Sequence, residues 1–82
     1  MQLSYDPRRN IAYLRLRKPD GSQVETIQLS DEVNVDLAPD GTLYGIELLN
    51  ANAQLHASDG GRFVVIDEVA GRIVEVPLPE IA

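Results

Sequence analysis

The chain has 82 residues, no cysteine, and 13 acidic against 7 basic residues, which give a net charge of −6 at pH 7. This length predicts one domain that buries about 60–65% of the surface its unfolded chain exposes, so self-association is the expected source of extra stability. The composition excludes disulfides and thiolate metal sites, and it disfavours non-specific nucleic-acid binding, which depends on neutralising phosphates.

The composition also predicts a soluble, cytoplasmic protein with no membrane partner. An absence of cysteine is consistent with a reducing compartment. The segment from Met1 to Asp6 lacks the basic start and apolar stretch of a secretory signal. The longest apolar run, Phe63 to Ile66, is far below the ~20 residues that span a bilayer.

Alternating apolar and polar residues predict β-strands along most of the chain. A short strand at Leu3 to Tyr5 precedes a turn at residues 6–10, and a clear strand follows at Ile11 to Arg17. A second turn, Lys18 to Ser22, carries the Asp-Gly signal of a hairpin and leads into an edge-like strand at Gln23 to Leu29.

The strongest hairpin pattern lies between Val33 and Asn50. Its two alternating arms flank a Pro39-Asp40-Gly41 turn, so each arm has one wet and one dry face. Gly45 stands inside the return arm, Thr42 to Leu49, and predicts a bulge or a close backbone approach.

The last third of the chain changes pattern. Residues 50–58 predict a short helix capped by Asn50, with Leu55 packed against the sheet. Residues 62–67 are apolar on both faces, which is typical of a strand covered on both sides, and residues 71–76 are the expected partner strand.

These elements predict a mainly β, β-rich α+β fold in a single domain over residues 1–82. Residues 1–57 form an antiparallel β-meander of about five strands with one short helix, and residues 58–82 form a C-terminal hairpin and tail. The core is predicted from the alternate apolar positions: Ala12, Leu14, Leu16, Ile27, Val35, Leu37, Ile46, Leu48, Leu55, Phe63, Val65 and Val74.

A calcium loop is the sharpest candidate site. Asp36, Asp40, Gly41 and Glu47 match positions of an EF-hand loop. Ala38, however, stands where that loop needs an oxygen ligand, and the flanks alternate as strands rather than helices. The pattern therefore favours a turn over a calcium site.

The remaining acids and the histidine indicate no chemistry. Asp31-Glu32 and Asp67-Glu68 stand at predicted turns, and Asp36 and Glu47 stand on the wet face of the predicted hairpin, so all of them are expected to be solvated and chemically idle. His56 is the only histidine and lacks partners for a triad or a zinc site. We predict no catalytic, cofactor-binding or metal-binding residue.

Tyr13, Arg15 and Arg17 share one strand face and weakly resemble a nucleic-acid platform. Cross-strand ion pairs with Glu25 or Glu47 account for the two arginines more simply. Nucleic-acid binding is therefore the last-ranked function.

Several segments match a known family pattern in order and spacing. They are Tyr5-Asp6, Ala12 to Leu16, Val35-Asp36-Leu37, Asp40-Gly41 and Gly45 to Ala51. The chain resembles, over about residues 3–57, the uncharacterised domain-of-unknown-function family 2283 of small prokaryotic proteins. Asn10, Ala38 and Asn50 replace residues that are commonly acidic in that family. The family has no established activity; some members lie beside toxin-like genes, which implies an antitoxin-like, partner-binding role by analogy.

The leading prediction is a non-enzymatic, homo-oligomeric protein-interaction module, a dimer that docks a basic protein partner. The alternative is a small-ligand or metal-assisted enzyme whose site, built from Asp36, Glu47 and His56, lies across a dimer interface. The sequence does not indicate the partner, a ligand, the symmetry of the oligomer or the role of the C-terminal hairpin.

Overall fold

The computed structural model describes residues 1–21 and 23–81, which form seven β-strands and one short α-helix. The strands are β1 Gln2–Asp6, β2 Ile11–Arg15, β3 Glu25–Gln28, β4 Val33–Leu37, β5 Leu43–Leu49, β6 Arg62–Asp67 and β7 Arg72–Pro77, and α1 Ala51–Leu55 follows β5. The predicted β-rich, antiparallel fold class is confirmed, including the C-terminal hairpin. Ser22, part of the predicted second turn, and Ala82 lie outside the described residues.

The first five strands form one antiparallel sheet in the order β1-β2-β5-β4-β3. The turn at residues 18–22 predicts β2 and β3 as neighbours, but β2 pairs with β5, with Ile11 opposite Leu49 and Arg15 opposite Gly45. The strand order therefore departs from a simple meander at this step. β5 is the longest and most apolar strand and gains most from a central position, whereas the polar β3 is suited to an edge.

The sheet has an apolar face and a polar face, because directly opposed residues project to the same side. The apolar face comprises two rows, Leu3, Leu14, Ile46, Val35 and Ile27 in one and Tyr5, Ala12, Leu48 and Val33 in the other. The polar face comprises Ser4, Tyr13, Glu47, Asn34 and Gln28 in one row and Gln2, Arg15, Gly45, Asp36 and Thr26 in the next.

The predicted core does not close within one chain. Among the described residues, the buried apolar side chains are Ala12 and Ala51, and no large side chain is fully buried. Four predicted core residues are exposed, namely Ile27, Phe63, Val65 and Val74. The prediction was wrong for Ile27 because a sheet buries its apolar face only against a second layer, and the five-residue α1 is too small to provide one. It was wrong for Phe63, Val65 and Val74 because they lie on the separate two-stranded hairpin, which also lacks a closely packed second layer.

The shape of the chain reflects this missing layer. The accessible surface is 6059 Å², whereas a compact monomer of this mass exposes about 4,900 Å². The radius of gyration is 14.3 Å, against about 12 Å for a compact domain of this length. A single chain therefore exposes about 1,200 Å² more than a folded protein of its size normally does.

A cluster of asparagines holds α1 against the end of β2. Asn10 has a positive φ of 59°. Its side-chain oxygen accepts a hydrogen bond from the Asn52 backbone N–H at 2.8 Å, and its backbone carbonyl oxygen accepts one from the Ala51 N–H at 3.2 Å. The Asn52 side chain donates to Pro7 O at 3.0 Å and accepts from the Tyr5 hydroxyl at 2.5 Å. These bonds bury Ala51.

The helix differs in detail from its prediction. Asn50 precedes it with a left-handed backbone, and its side chain makes no capping bond. That side chain instead donates to Glu32 Oε1 at 3.0 Å in the turn between β3 and β4. The helix ends at Leu55 rather than at residue 58. None of the helices in the described part of the chain is long and apolar enough to cross a membrane.

Candidate interaction surface

The C-terminal hairpin, β6 and β7, is apolar on both sides. One side carries Phe63 opposite Val76 and Val65 opposite Val74, and the other carries Ile66 opposite Ile73. All six of these side chains are exposed. Arg62 and Glu75 form an ion pair at 3.5 Å near the base of the hairpin. Between this pair and the tip, where Asp67 and Arg72 stand, the two strands carry no charged residue.

Exposure rises along the hairpin from its base to its tip. Phe63 is 36% exposed, Val65 49%, Ile66 61%, and Val69 in the turn 99%. The turn itself is well formed, because Asp67 Oδ1 accepts from the backbone N–H groups of Val69 and Ala70, each at 3.1 Å. The hairpin is thus an ordered arm that leaves the main sheet, not a frayed tail.

A cleft of about 390 Å³ separates the base of the hairpin from the apolar face. Leu3, Tyr5 and Leu14 line it on the side of the sheet, and Phe63 and Val76 line it on the side of the hairpin. The apolar face and one side of the hairpin therefore point toward a shared, open space. The opposite side of the hairpin, with Ile66 and Ile73, points away from this cleft.

The connection between α1 and the hairpin is anchored at His56. Its Nε2 lies 3.2 Å from the Pro79 carbonyl oxygen, and its ring lies 6.0 Å from that of Tyr5. Leu78 N donates to Gly61 O at 2.9 Å, which joins the two ends of the hairpin. Partial burial raises the pKa of Tyr5 above its ordinary value. His56 therefore has a structural position at the base of the arm.

The polar face contains a hydrogen-bonded group centred on Asp36. Tyr13 Oη donates to Asp36 Oδ2 at 2.7 Å, and Thr26 Oγ1 donates to Asp36 Oδ1 at 2.6 Å. The Tyr13 ring reaches Asp36 by crossing Gly45, where a Cβ would lie 2.5 Å from Tyr13 Cζ. Burial, followed by the bond to Asp36, raises the pKa of Tyr13 well above its ordinary value of 10.0.

Gly45 confirms the close approach predicted for it, and the ladder also shifts register beside it, between Asp36 and Leu37. The glycine in the strand was a sufficient signal for the approach. The identity of the approaching group, Tyr13, was not predicted, because it depends on the pairing of β2 with β5.

A family model described as "Protein of unknown function (DUF2283)" matches residues 2–52. The match covers more than half of the chain. The chain belongs to this family. No curated protein and no solved structure matches it.

The part of the chain that matches DUF2283 runs from β1 to the start of α1, so it contains the whole five-stranded sheet. It includes the asparagine cluster and the Tyr13–Asp36 bond. The C-terminal hairpin lies beyond the matched residues, as the resemblance implies. The apolar face thus belongs to the DUF2283 sheet, and the arm beside it does not.

The residues of the calcium pattern are occupied by other contacts. Both Asp36 oxygens accept hydrogen bonds from Tyr13 and Thr26, and Glu47 Oε1 accepts from Asn34 at 2.9 Å. Asp40 accepts from the hydroxyl and backbone N–H of Thr42, and these bonds hold its pKa below the ordinary value of 3.8. Asp40 thus has the Asp-Gly turn chemistry predicted for it.

Within one chain, the structure does not bring together the residues of the alternative enzyme site, which was predicted to form across a dimer interface. Asp36 and Glu47 lie on the polar face, whereas His56 lies beside Tyr5 at the base of the hairpin. The described residues contain no group of three or more His, Asp or Glu that is arranged to hold a metal ion.

The arginines of the predicted platform contact uncharged residues. Arg15 donates to Gln2 Oε1 at 3.1 Å, and Arg17 donates to the Thr42 hydroxyl. Within the described residues, neither forms the ion pair with Glu25 or Glu47 that was predicted. The cause is register, since Arg15 stands opposite Gly45 and Gln2 rather than opposite an acid.

Proposed function

We propose that this protein is a non-enzymatic, homo-oligomeric protein-interaction module. One observation carries the proposal: the sheet has a complete apolar face, yet the buried apolar residues of the described chain are two alanines. Globular domains bury such a face against a second layer. A second copy of the chain is the simplest source of that layer.

The exposed area supports the proposal quantitatively. A chain of this mass exposes about 1,200 Å² too much for a compact monomer. Stable protein–protein interfaces bury about 800 Å² on each partner. The excess is therefore large enough for one interface of standard size.

Sedimentation equilibrium over about 1–100 μM protein tests the oligomeric state directly. We expect a dimer that persists into the low micromolar range. A single monomeric species over the whole range would contradict the proposal. Native mass spectrometry of the same samples gives an independent count of chains.

A more specific form of the proposal is antitoxin-like binding of a basic partner protein. It is supported by the net charge of −6 and by the resemblance to the DUF2283 family. The test is affinity purification of a tagged chain from the native cell. A matched bait carries Asp31→Asn, Glu32→Gln and Glu68→Gln, which removes three exposed acidic side chains.

We expect the native bait to retain one basic protein in stoichiometric amount. The neutralised bait should retain less of it. Retention of no protein, or of one that is indifferent to the three substitutions, would contradict this specific form. Neither result would contradict the proposed homo-oligomer, which sedimentation equilibrium tests separately.

A further inference from the structure

We infer that the apolar face of each sheet is covered by the C-terminal hairpin of a second copy of this chain, exchanged reciprocally across a two-fold axis. This inference rests on the proposed homo-oligomer and adds to it the surface that each copy uses. It concerns two surfaces of one molecule, the apolar face and the arm formed by β6 and β7.

The hairpin requires cover on both sides. An isolated two-stranded hairpin is marginally stable at best in water, and strands that are apolar on both faces are typical of buried layers. Val65 and Val74 on one side are 49% and 57% exposed, and Ile66 and Ile73 on the other are 61% and 62% exposed. Both sides of the arm are therefore largely exposed among the described residues of the chain.

The chain's own sheet reaches only one of these two sides. Phe63 and Val76 face it across the cleft, so closing the cleft would bury that side of the arm. Ile66 and Ile73 project in the opposite direction, since neighbouring residues of a strand alternate between its faces. Their cover must come from another molecule.

A second copy has the matching surface and no charge that opposes docking. The two rows of the apolar face contain no ionised residue, and the acids Asp36 and Glu47 lie on the polar face. The charged residues of the arm's two strands stand in pairs of opposite sign, Arg62 with Glu75 at 3.5 Å and Asp67 opposite Arg72. Two chains of net charge −6 can therefore meet through these surfaces without placing acids against each other.

Reciprocity follows from symmetry and area. When the arm of one copy lies on the sheet of the other, a two-fold axis places the second arm on the first sheet, which gives a closed, self-complementary interface. The two contacts together form one interface, and an excess of about 1,200 Å² on each chain is enough for it, because a standard interface takes about 800 Å² from each partner.

Engineered cysteines test the contact, since the natural chain has none. The test variant is Ile73→Cys with Ile27→Cys, which places one thiol on the outer side of the arm and one on the apolar face. The control is Ile73→Cys with Thr26→Cys, which moves the second thiol by one residue to the polar face. Chains grown in normal and in nitrogen-15 medium are mixed, unfolded and refolded together, and treated with a short bismaleimide.

Peptide mass spectrometry then reads the origin of each link between residues 27 and 73. We expect links that join a light to a heavy peptide in the test variant and none in the control. Links confined to peptides of equal label would mean that the arm folds onto its own sheet, and they would overturn the inference. So would a dimer without any link between these two positions.

A second variant tests the arm by solution assembly. Ile66→Lys with Ile73→Glu replaces an exposed apolar pair by an opposed ion pair, which preserves the hairpin. We expect the dissociation constant of the dimer to rise by about 30-fold or more, with unchanged circular dichroism. The control, Gln2→Glu with Gln28→Lys, makes the same charge changes on the polar face and should leave the dimer intact.

The two proposals fail differently. A wild-type chain that is monomeric at 100 μM contradicts the homo-oligomer itself. A wild-type dimer that is unaffected by Ile66→Lys with Ile73→Glu overturns only the exchange of the arm.

Discussion

Replacing Gly45 by alanine should destabilise this protein because the new methyl group would occupy the space of the Tyr13 ring. A Cβ at residue 45 would lie 2.5 Å from Tyr13 Cζ and 2.7 Å from Cε1, well inside contact distance. The ring cannot lift away freely, since its hydroxyl is bonded to Asp36 at 2.7 Å. The substitution therefore forces a choice between displacing the strand and losing that bond.

Both choices are costly. Forcing an extra methyl group into a packed site costs typically about 1–3 kcal/mol. Losing a hydrogen bond to a charged group costs about 1.5–3 kcal/mol. We expect Gly45→Ala to lower the free energy of unfolding by about 1–3 kcal/mol, a large share of the stability of a domain this small.

Urea unfolding at one fixed protein concentration, followed by far-ultraviolet circular dichroism, measures the effect. The same substitution is then made in two other backgrounds. In Tyr13→Phe the ring remains, so Gly45→Ala should still destabilise. In Tyr13→Ala the space is free, so Gly45→Ala should be neutral or stabilise by about 0.5–1 kcal/mol, as alanine does relative to glycine inside a strand. Equal destabilisation in all three backgrounds would refute the reasoning.

Other predictions concern the tyrosines, the asparagine cluster and metals. Because the pKa of Tyr13 is raised in the folded protein, its contribution to stability is complete below pH 10 and is lost as the pH rises toward the folded pKa. Urea unfolding should therefore show that wild type loses stability above pH 10 more steeply than Tyr13→Phe does. Absorbance at 295 nm should show the same tyrosine ionising well above pH 10, and a titration of all tyrosines near pH 10 would contradict this. Asn52→Ala removes bonds to Tyr5 and Pro7 and should cost about 1–3 kcal/mol in thermal or urea unfolding, whereas a change within about 0.5 kcal/mol would mean that the cluster is not stabilising. Millimolar calcium, magnesium or zinc should leave the melting temperature unchanged, because both Asp36 oxygens already accept hydrogen bonds; a rise would indicate metal binding.

Local pattern was sufficient to predict the strands, the turn at residues 39–41 and the class of fold. Period-two alternation identified β2, β4 and β5, and the Asp40-Gly41 turn joins β4 to β5 as expected. These features depend on residues that are close in sequence. The same reasoning located the C-terminal hairpin and noted that it is apolar on both faces.

Strand order and burial were not predictable in the same way. The Asp-Gly signal at residues 20–21 predicted a hairpin, but β2 and β3 do not pair, and β5 lies between β2 and β4. Apolar residues such as Val65 mark a surface that requires cover, yet they do not state whether the cover comes from the same chain. The asparagine cluster was missed because Asn10 and Asn52 are distant in sequence and act through backbone groups.

The central pairing of β2 with β5 has a consequence for the order of folding. The first hairpin, β1 with β2, and the three strands β3, β4 and β5 can each form from local contacts. Joining them requires residues 11–15 to meet residues 45–49, which is the slow, long-range step in a chain otherwise built from neighbours. During synthesis on the ribosome, the backbone groups of β2 that pair with β5 therefore stay unpaired until residue 49 has emerged.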